Sequence, residues 1–162
     1  MEIRMATPDD DFLAISRIYA RSWKAAFKGI VPQAYLDGLR DDRWAELWKG
    51  RSVDMVVLLE CGQYIGTSAF CPARDEAMTG FGEIISIYLL PEFYGKGYGT
   101  PLLEAAVREL QARGFERIYL WALEENARAR AFYAKNGFRE TEDRMPLTIG
   151  GKELTEVRYV RA

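Results

Sequence analysis

The stretch from Phe81 to Ala122 constrains the fold more than any other part of the chain. An apolar, β-branched run from Phe81 to Leu90 stops at Pro91, and Tyr94-Gly95-Lys96-Gly97-Tyr98-Gly99 follows. Leu102, Leu103, Ala106, Val107 and Leu110 then recur at helical spacing up to Gly114, and Arg117 to Ala122 reads as a buried strand. Strand, glycine-rich turn, helix and strand make a crossover unit, whose two strands must be parallel and whose connection must be right-handed. In open α/β sheets, ligands collect beyond the carboxyl ends of parallel strands, and the glycine turn lies at such a place.

The flanking segments predict a mixed sheet around this unit. Residues 2 to 6 form a short strand. Thr7-Pro8-Asp9-Asp10-Asp11 supplies a cap, a proline for a first turn and acids at the positive end of a helix dipole. The helix that follows carries one apolar stripe, Phe12, Ile15, Tyr19, Trp23, Ala26 and Phe27. Gly29 and Pro32 break it, and a second helical region runs from about Gln33 to Lys49, with Tyr35, Leu36, Leu39, Trp44, Leu47 and Trp48 as its apolar members. Met55 to Leu59 and Tyr64 to Cys71 form a hairpin turned at Glu60-Cys61-Gly62-Gln63, and Pro72 to Gly80 is a polar loop. Ala127 to Lys135 is a helix ended by Asn136-Gly137, and two strands joined at Gly150-Gly151 close the chain. The order is β, α, α, β-β-β, α, β, α, β-β, an α/β fold with one parallel crossover. The 162 residues fit one domain spanning 1–162, long enough to bury roughly 70% of the surface of the unfolded chain.

Composition narrows the chemistry. There is no histidine, which excludes Ser-His-Asp and Cys-His catalysts and any histidine-ligated zinc site. The net charge of −2 gives no electrostatic reason to expect nucleic acid or an anionic membrane as partner. Cys61 and Cys71 form no CxxC pair and are read as reduced residues on adjacent strands, so no metal is expected. Charges in Met1-Glu2-Ile3-Arg4-Met5 stand where a signal peptide needs an apolar run, and no stretch approaches the ~18 apolar residues of a membrane span. The expected location is the cytoplasm.

Gly95, Gly97 and Gly99 let backbone N–H groups converge ahead of a helix whose amino end carries about +0.5 charge, a cradle for phosphate. A turn that needs glycine only for its geometry is the plain alternative. The dinucleotide fingerprint G-x-G-x-x-G is not met, because the third glycine comes one residue early, and there is no Walker motif.

With these residues in view, the chain resembles the GCN5-related N-acetyltransferase superfamily. Its signature Q/R-x-x-G-x-G/A maps onto Tyr94 to Gly99, with both glycines met and Tyr94 in place of Gln or Arg. Lys96 and Thr100 are candidate replacements for the lost side-chain contact. A second element, N-x-x-A-x-x-F-Y-x-x-x-G-F, is met by Asn126, Ala129, Phe132, Tyr133, Gly137 and Phe138. Together with Ile85-Ser86-Ile87-Tyr88-Leu89-Leu90-Pro91, the match covers about residues 54 to 140.

The resemblance implies a mostly antiparallel mixed sheet with helices on both faces and acetyl-CoA as co-substrate. Its pantetheine arm would pair with Ile87, Tyr88 and Leu89, its pyrophosphate would lie on Gly95, Lys96, Gly97, Tyr98, Gly99 and Thr100, and Asn126 would bond the pantetheine amides. Asn126 is also a good helix cap, and both roles are compatible. The implied reaction is direct attack of a primary amine on the thioester in a ternary complex. Tyr133, seven residues after Asn126 and on the same helix face, is the implied acid toward sulfur, with core packing as the alternative. A backbone N–H near Leu89, where the family has a bulge, would hold the oxyanion.

An alkylamine of pKa about 10.4 is neutral in only about four molecules in ten thousand at pH 7, a handicap of roughly 4.6 kcal/mol, so a base is needed. Without histidine it must be a carboxylate, alone or through water. Glu83, on the strand entering the cleft, is the first candidate, with a solvated strand-end charge as its alternative. Glu124 is the second, while the position a further branch uses is Trp121. Trp23, Phe27 and Tyr35, with Lys24 and Lys28 near, either belong to the core or wall an acceptor pocket suited to a small molecule or peptide terminus. The competing function is a non-catalytic acyl-CoA-binding regulatory module. A homodimer is expected, with the C-terminal strand pair free to extend a partner's sheet.

Overall fold

Strands β1 (Glu2–Met5), β2 (Asp54–Glu60), β3 (Gln63–Pro72), β4 (Gly82–Leu89), β5 (Ile118–Leu123), β6 (Arg139–Ile149) and β7 (Lys152–Arg161) form one sheet. The structure is a computed structural model that describes residues 1–48 and 54–162. The strand order is β1-β2-β3-β4-β5-β7-β6, and of the neighbouring pairs only β4 with β5 is parallel. The crossover between them contains α3 (Gly99–Ala112). The other α-helices among the described residues are α1 (Phe12–Ala26), α2 (Gln33–Asp37) and α4 (Ala127–Lys135).

The alternation along β2 shows how both sheet faces are covered. Val56 and Leu58 pack with Leu102, Leu103, Val107 and Leu110 of α3, whereas Met55, Val57 and Leu59 pack with Ile15 and Tyr19 of α1. A third cluster joins Phe27, Leu36 and Leu39 to Leu123 of β5 and Leu154 of β7. Each cluster takes in a part of the crossover strands: Ile84, Ile118 and Leu120 belong to the first, Ile85 and Tyr88 pack against the second, and Leu123 belongs to the third.

Four expectations are corrected in detail. The cap of α1 is Asp11, whose carboxylate accepts from the Ala14 N–H at 3.0 Å. Pro8 lies before the helix, and Asp10 is buried as acceptor for Arg4 and the Tyr64 hydroxyl. The second helical region shrinks to Gln33–Asp37, followed by single turns through Leu47 in which N–H groups bond three residues back; Lys49 lies outside the described residues. Gly38 ends the helix, and the Trp44 N–H bonds Ser16 Oγ at 3.0 Å instead of continuing it. Cys61 sits on the hairpin turn rather than a strand, at φ 50° and exposed, while Cys71 is buried in β3. The bulge of β4 is at Ile85, where the register steps from Phe70↔Ile84 to Ala69↔Ser86, four residues before Leu89.

Candidate active site

The site begins where β4 and β5 part. They pair at Gly82↔Ile118, Glu83↔Tyr119 and Ile84↔Leu120 and no further, the pairing ending at the Ile85 bulge. Beyond it, β4 keeps β3 on one side and among the described residues has no strand on the other. The Leu90 N–H donates to Ile65 of β3 at 2.8 Å, so by the alternation of an antiparallel pair the N–H groups of Ile87 and Leu89 face the opening. A cavity of about 610 Å³ occupies it, within the roughly 300–1,000 Å³ of small-ligand sites.

One end of the cavity is the glycine turn. Gly95, Gly97, Tyr98, Gly99 and Thr100 line it, and Gly95 and Gly97 sit at φ 70° and 87°, a conformation that disfavours side chains. Tyr98, the N-cap of α3, adds no capping bond from its side chain, which leaves first-turn amides for an anion; its hydroxyl donates to Glu60 instead at 2.9 Å. Lys96 is not among the lining residues, and its ammonium lies over the Phe93 ring at 5.6 Å. Tyr94, in the place of Gln or Arg, bonds Ser22 Oγ through its hydroxyl at 2.9 Å. The guanidinium of Arg128, from α4, stacks 4.0 Å over the Tyr94 ring and lines the cavity. A cation thus reaches this end from another element, a residue the spacing argument missed.

The middle of the cavity holds Ile87, Tyr88, Leu89, Asn126 and Tyr133 together. Asn126 Oδ1 accepts from the Ala129 N–H at 3.2 Å, so the cap role is realised and the amide nitrogen is left for a ligand. Tyr133 is half-buried among Phe132, Phe138 and Tyr159, and its hydroxyl has no hydrogen-bond partner among the described residues. Burial, with Tyr88 adding to it, pushes its phenol well above the ordinary value, so it stays protonated.

The far end is aromatic. Trp23 Nε1 donates to the Tyr88 hydroxyl at 3.0 Å, and Trp23 packs edge-on against Phe27. Burial pushes the Tyr88 phenol up to about 12. Trp23, Phe27, Trp121, Leu123, Leu147 and Ile149 line this end, but Tyr35, Lys24 and Lys28 do not.

Glu83 does not join them. It is 3% exposed and absent from the cavity lining. Oε1 accepts from the Arg74 backbone N–H and Nε at 3.1 Å each and from the Tyr119 hydroxyl at 2.7 Å, while Oε2 accepts from Arg74 Nη2 at 2.5 Å. Burial alone would raise its pKa, but these bonds outweigh it and hold the carboxyl below its ordinary value. A carboxylate so satisfied is a poor proton acceptor, and its bonds tie Arg74 and Tyr119 to β4. Glu124 is exposed, pairs with Arg144 at 3.3 Å and does not line the cavity. The carboxylate that does is Glu156 of β7, opposite Leu123. Its strand mixes polar and apolar residues without a clean alternation, so nothing local marks Glu156 in the sequence.

Comparison with known proteins agrees with this fold. Residues 13–138 match the model of the acetyltransferase (GNAT) family. The uncharacterized N-acetyltransferase YuaI of Bacillus subtilis (strain 168) is 31% identical over 150 residues, covering 91% of this chain and 86% of that one. An uncharacterized N-acetyltransferase of Archaeoglobus fulgidus is 32% identical over 148 residues, covering 88% and 95%. Among solved structures, yncA of Salmonella typhimurium with its cofactor acetyl-CoA superposes with a TM-score of 0.73 at 24% identity, covering 98% of this chain and 91% of that one.

Proposed function

The chain belongs to the GNAT family and is an acetyl-CoA-dependent N-acetyltransferase, and from that premise we propose that it acetylates a primary amine of a small molecule or peptide terminus by direct attack in a ternary complex. The observation that carries this reading is the parting of β4 and β5 at Ile85, which puts unpaired backbone, an anion cradle and a protonated phenol around one cavity. Acetyl-CoA supplies the activated thioester. The Ile87 and Leu89 backbone pairs with the pantetheine arm, and the Leu89 N–H is placed to donate to the oxyanion, a contact of roughly 3 kcal/mol in such sites. Amides from Gly95 to Thr100 and the Arg128 guanidinium hold the pyrophosphate; Asn126 donates its amide to the arm. Tyr133 gives its proton to the departing sulfur.

Calorimetric titration with acetyl-CoA tests the binding half. Saturable binding is expected, with Arg128→Ala weakening it about tenfold and the deficit shrinking as salt rises, as for a charge-assisted phosphate contact. An unchanged Kd in that variant would remove Arg128 from the site.

A homodimer acting in the cytoplasm accompanies this reading. Among the described residues no helix is long and apolar enough to cross a membrane, and none group as a metal site. Sheet extension through β6 is disfavoured, because Pro146 and the register break between Glu140 and Arg144 blunt that edge. Contact through side-chain faces is the expected form, which light scattering on the purified protein would read as twice the chain mass.

A further inference from the structure

The far end of the cavity is specific enough to name an acceptor. Glu156 is the one acid among the lining residues, where the only other charged side chains, Arg128 and Lys135, lie on α4. Among the described residues its carboxylate has no hydrogen-bond or ion-pair partner. A half-buried carboxylate facing a cavity without a partner is costly unless a ligand supplies the counter-charge.

Leu147 and Ile149, near the tip of the β6–β7 hairpin, line the cavity beside Glu156. The β6–β7 hairpin tip meets the α1–α2 segment: a side chain at Gly150 would put its Cβ 2.8 Å from that of Tyr35. Lys152 Nζ donates to the Ile30 carbonyl at 2.7 Å. A polypeptide acceptor needs an open groove at that point. The walls there include the rings of Trp23, Phe27 and Trp121 beside aliphatic Leu123, Leu147 and Ile149, which favour a flat apolar body and a single cation.

We propose that Glu156 anchors the incoming ammonium and accepts its proton, and that the acceptor is a compact primary monoamine with a flat apolar body and no carboxylate. A carboxylate beside the amine would meet Glu156 as a like charge in a poorly solvated space. A second ammonium on a polyamine would find no acid. This inference rests on the transfer reading above. In the step, one ammonium proton passes to Glu156 and on to water, and the neutral nitrogen bonds the carbonyl carbon. The C–S bond then breaks with its electron pair on sulfur, which takes a proton from Tyr133; the second nitrogen proton restores the phenol.

Glu156 is suited to that exchange. Burial raises its pKa above the ordinary glutamate value; Arg74, on the β3–β4 connection, opposes this and Glu83 of β4 adds to it. The other titratable groups beside it are Tyr88 of β4, on which its charge acts, and Arg158, two residues on along its own strand. The side chains that α1 and β6 bring to this end, Trp23, Phe27, Leu147 and Ile149, do not titrate.

The test is thiol release from acetyl-CoA with 2-phenylethylamine, L-phenylalanine, spermidine and an alanine-initiated hexapeptide, using wild type, Glu156→Gln and Glu156→Asp. The expected kcat/KM for 2-phenylethylamine exceeds the other three by about tenfold or more, the factor of ~1.4 kcal/mol. Glu156→Gln lowers it about 10²-fold, the loss shrinking as pH approaches the pKa of the amine, while acetyl-CoA affinity stays within about twofold. Glu156→Asp keeps the charge and recovers part of the rate, which a merely structural role would not produce. Preference for any of the other three acceptors, equal rates in Glu156→Gln, or acetyl-CoA binding without turnover of 2-phenylethylamine overturns the inference. Failure to bind acetyl-CoA at all overturns the transfer reading beneath it.

Discussion

Replacing Tyr133 with phenylalanine is expected to lower kcat about 10²-fold, the small end of the ~10²–10⁴ range for general acid–base groups, and to leave acetyl-CoA affinity nearly unchanged. The ring packs against Phe132, Phe138 and Tyr159, and phenylalanine preserves those contacts. Only the hydroxyl is lost, and it has no partner among the described residues that would be left unpaired. Because burial holds the phenol above its ordinary value, it is protonated throughout the working pH range and adds no alkaline limb of its own near neutrality. A thiolate is already a fair leaving group, which keeps the expected loss at the small end. Equal turnover in the variant would assign Tyr133 to packing alone.

Replacing Glu83 separates anchor from base. Glu83→Ala leaves the Arg74 guanidinium and the Tyr119 hydroxyl without their acceptor in a buried place, and is expected to cost about 2–4 kcal/mol of stability, below the full cost of breaking a buried pair because the Arg74 side chain is 62% exposed. Glu83→Gln keeps the shape and part of the bonding, so its turnover per folded molecule should stay within about threefold of wild type, far from the ~10²-fold loss of a base. The pH dependence has a definite sign. The carboxyl is held below its unfolded value, so its stabilisation is complete above the ordinary glutamate pKa of about 4.3 and is lost as pH falls through the lower folded value. Urea melts of wild type and Glu83→Gln should therefore converge in acid. A 10²-fold fall in kcat for Glu83→Gln with unchanged stability would return the base role to Glu83.

The parts of this architecture set by local patterns were legible in the sequence. The glycine turn between an apolar strand and an apolar helical stripe implied the parallel crossover. The register of Asn126 and Tyr133 on one helix placed both on the same cavity. What was not legible depends on contacts distant in sequence. Glu83 looked like a free acid because Tyr119 comes from the neighbouring parallel strand and Arg74 from the preceding connection. Glu156 carries no local signal, because the cavity beside it opens only where β4 parts from β5. Arg128 arrives from α4 to stack on Tyr94, so the departure from the usual first motif residue was visible and its replacement was not. The second helix failed for a local reason: aromatic spacing suggested it, but Gly38 and the bond from Trp44 to Ser16 favour turns.

The missing histidine gains meaning in this setting. Proton removal falls to a carboxylate and proton return to a phenol, and the oxyanion is left to backbone N–H. No group among the lining residues is a cysteine, so no thiol stands ready to carry the acetyl group. The most direct test of direct transfer is initial velocity measured across a grid of acetyl-CoA and amine concentrations. Intersecting reciprocal lines, with no thiol release in the absence of amine, are predicted for a ternary complex. Parallel lines, with a burst of thiol and an acetylated protein before amine is added, would contradict the account.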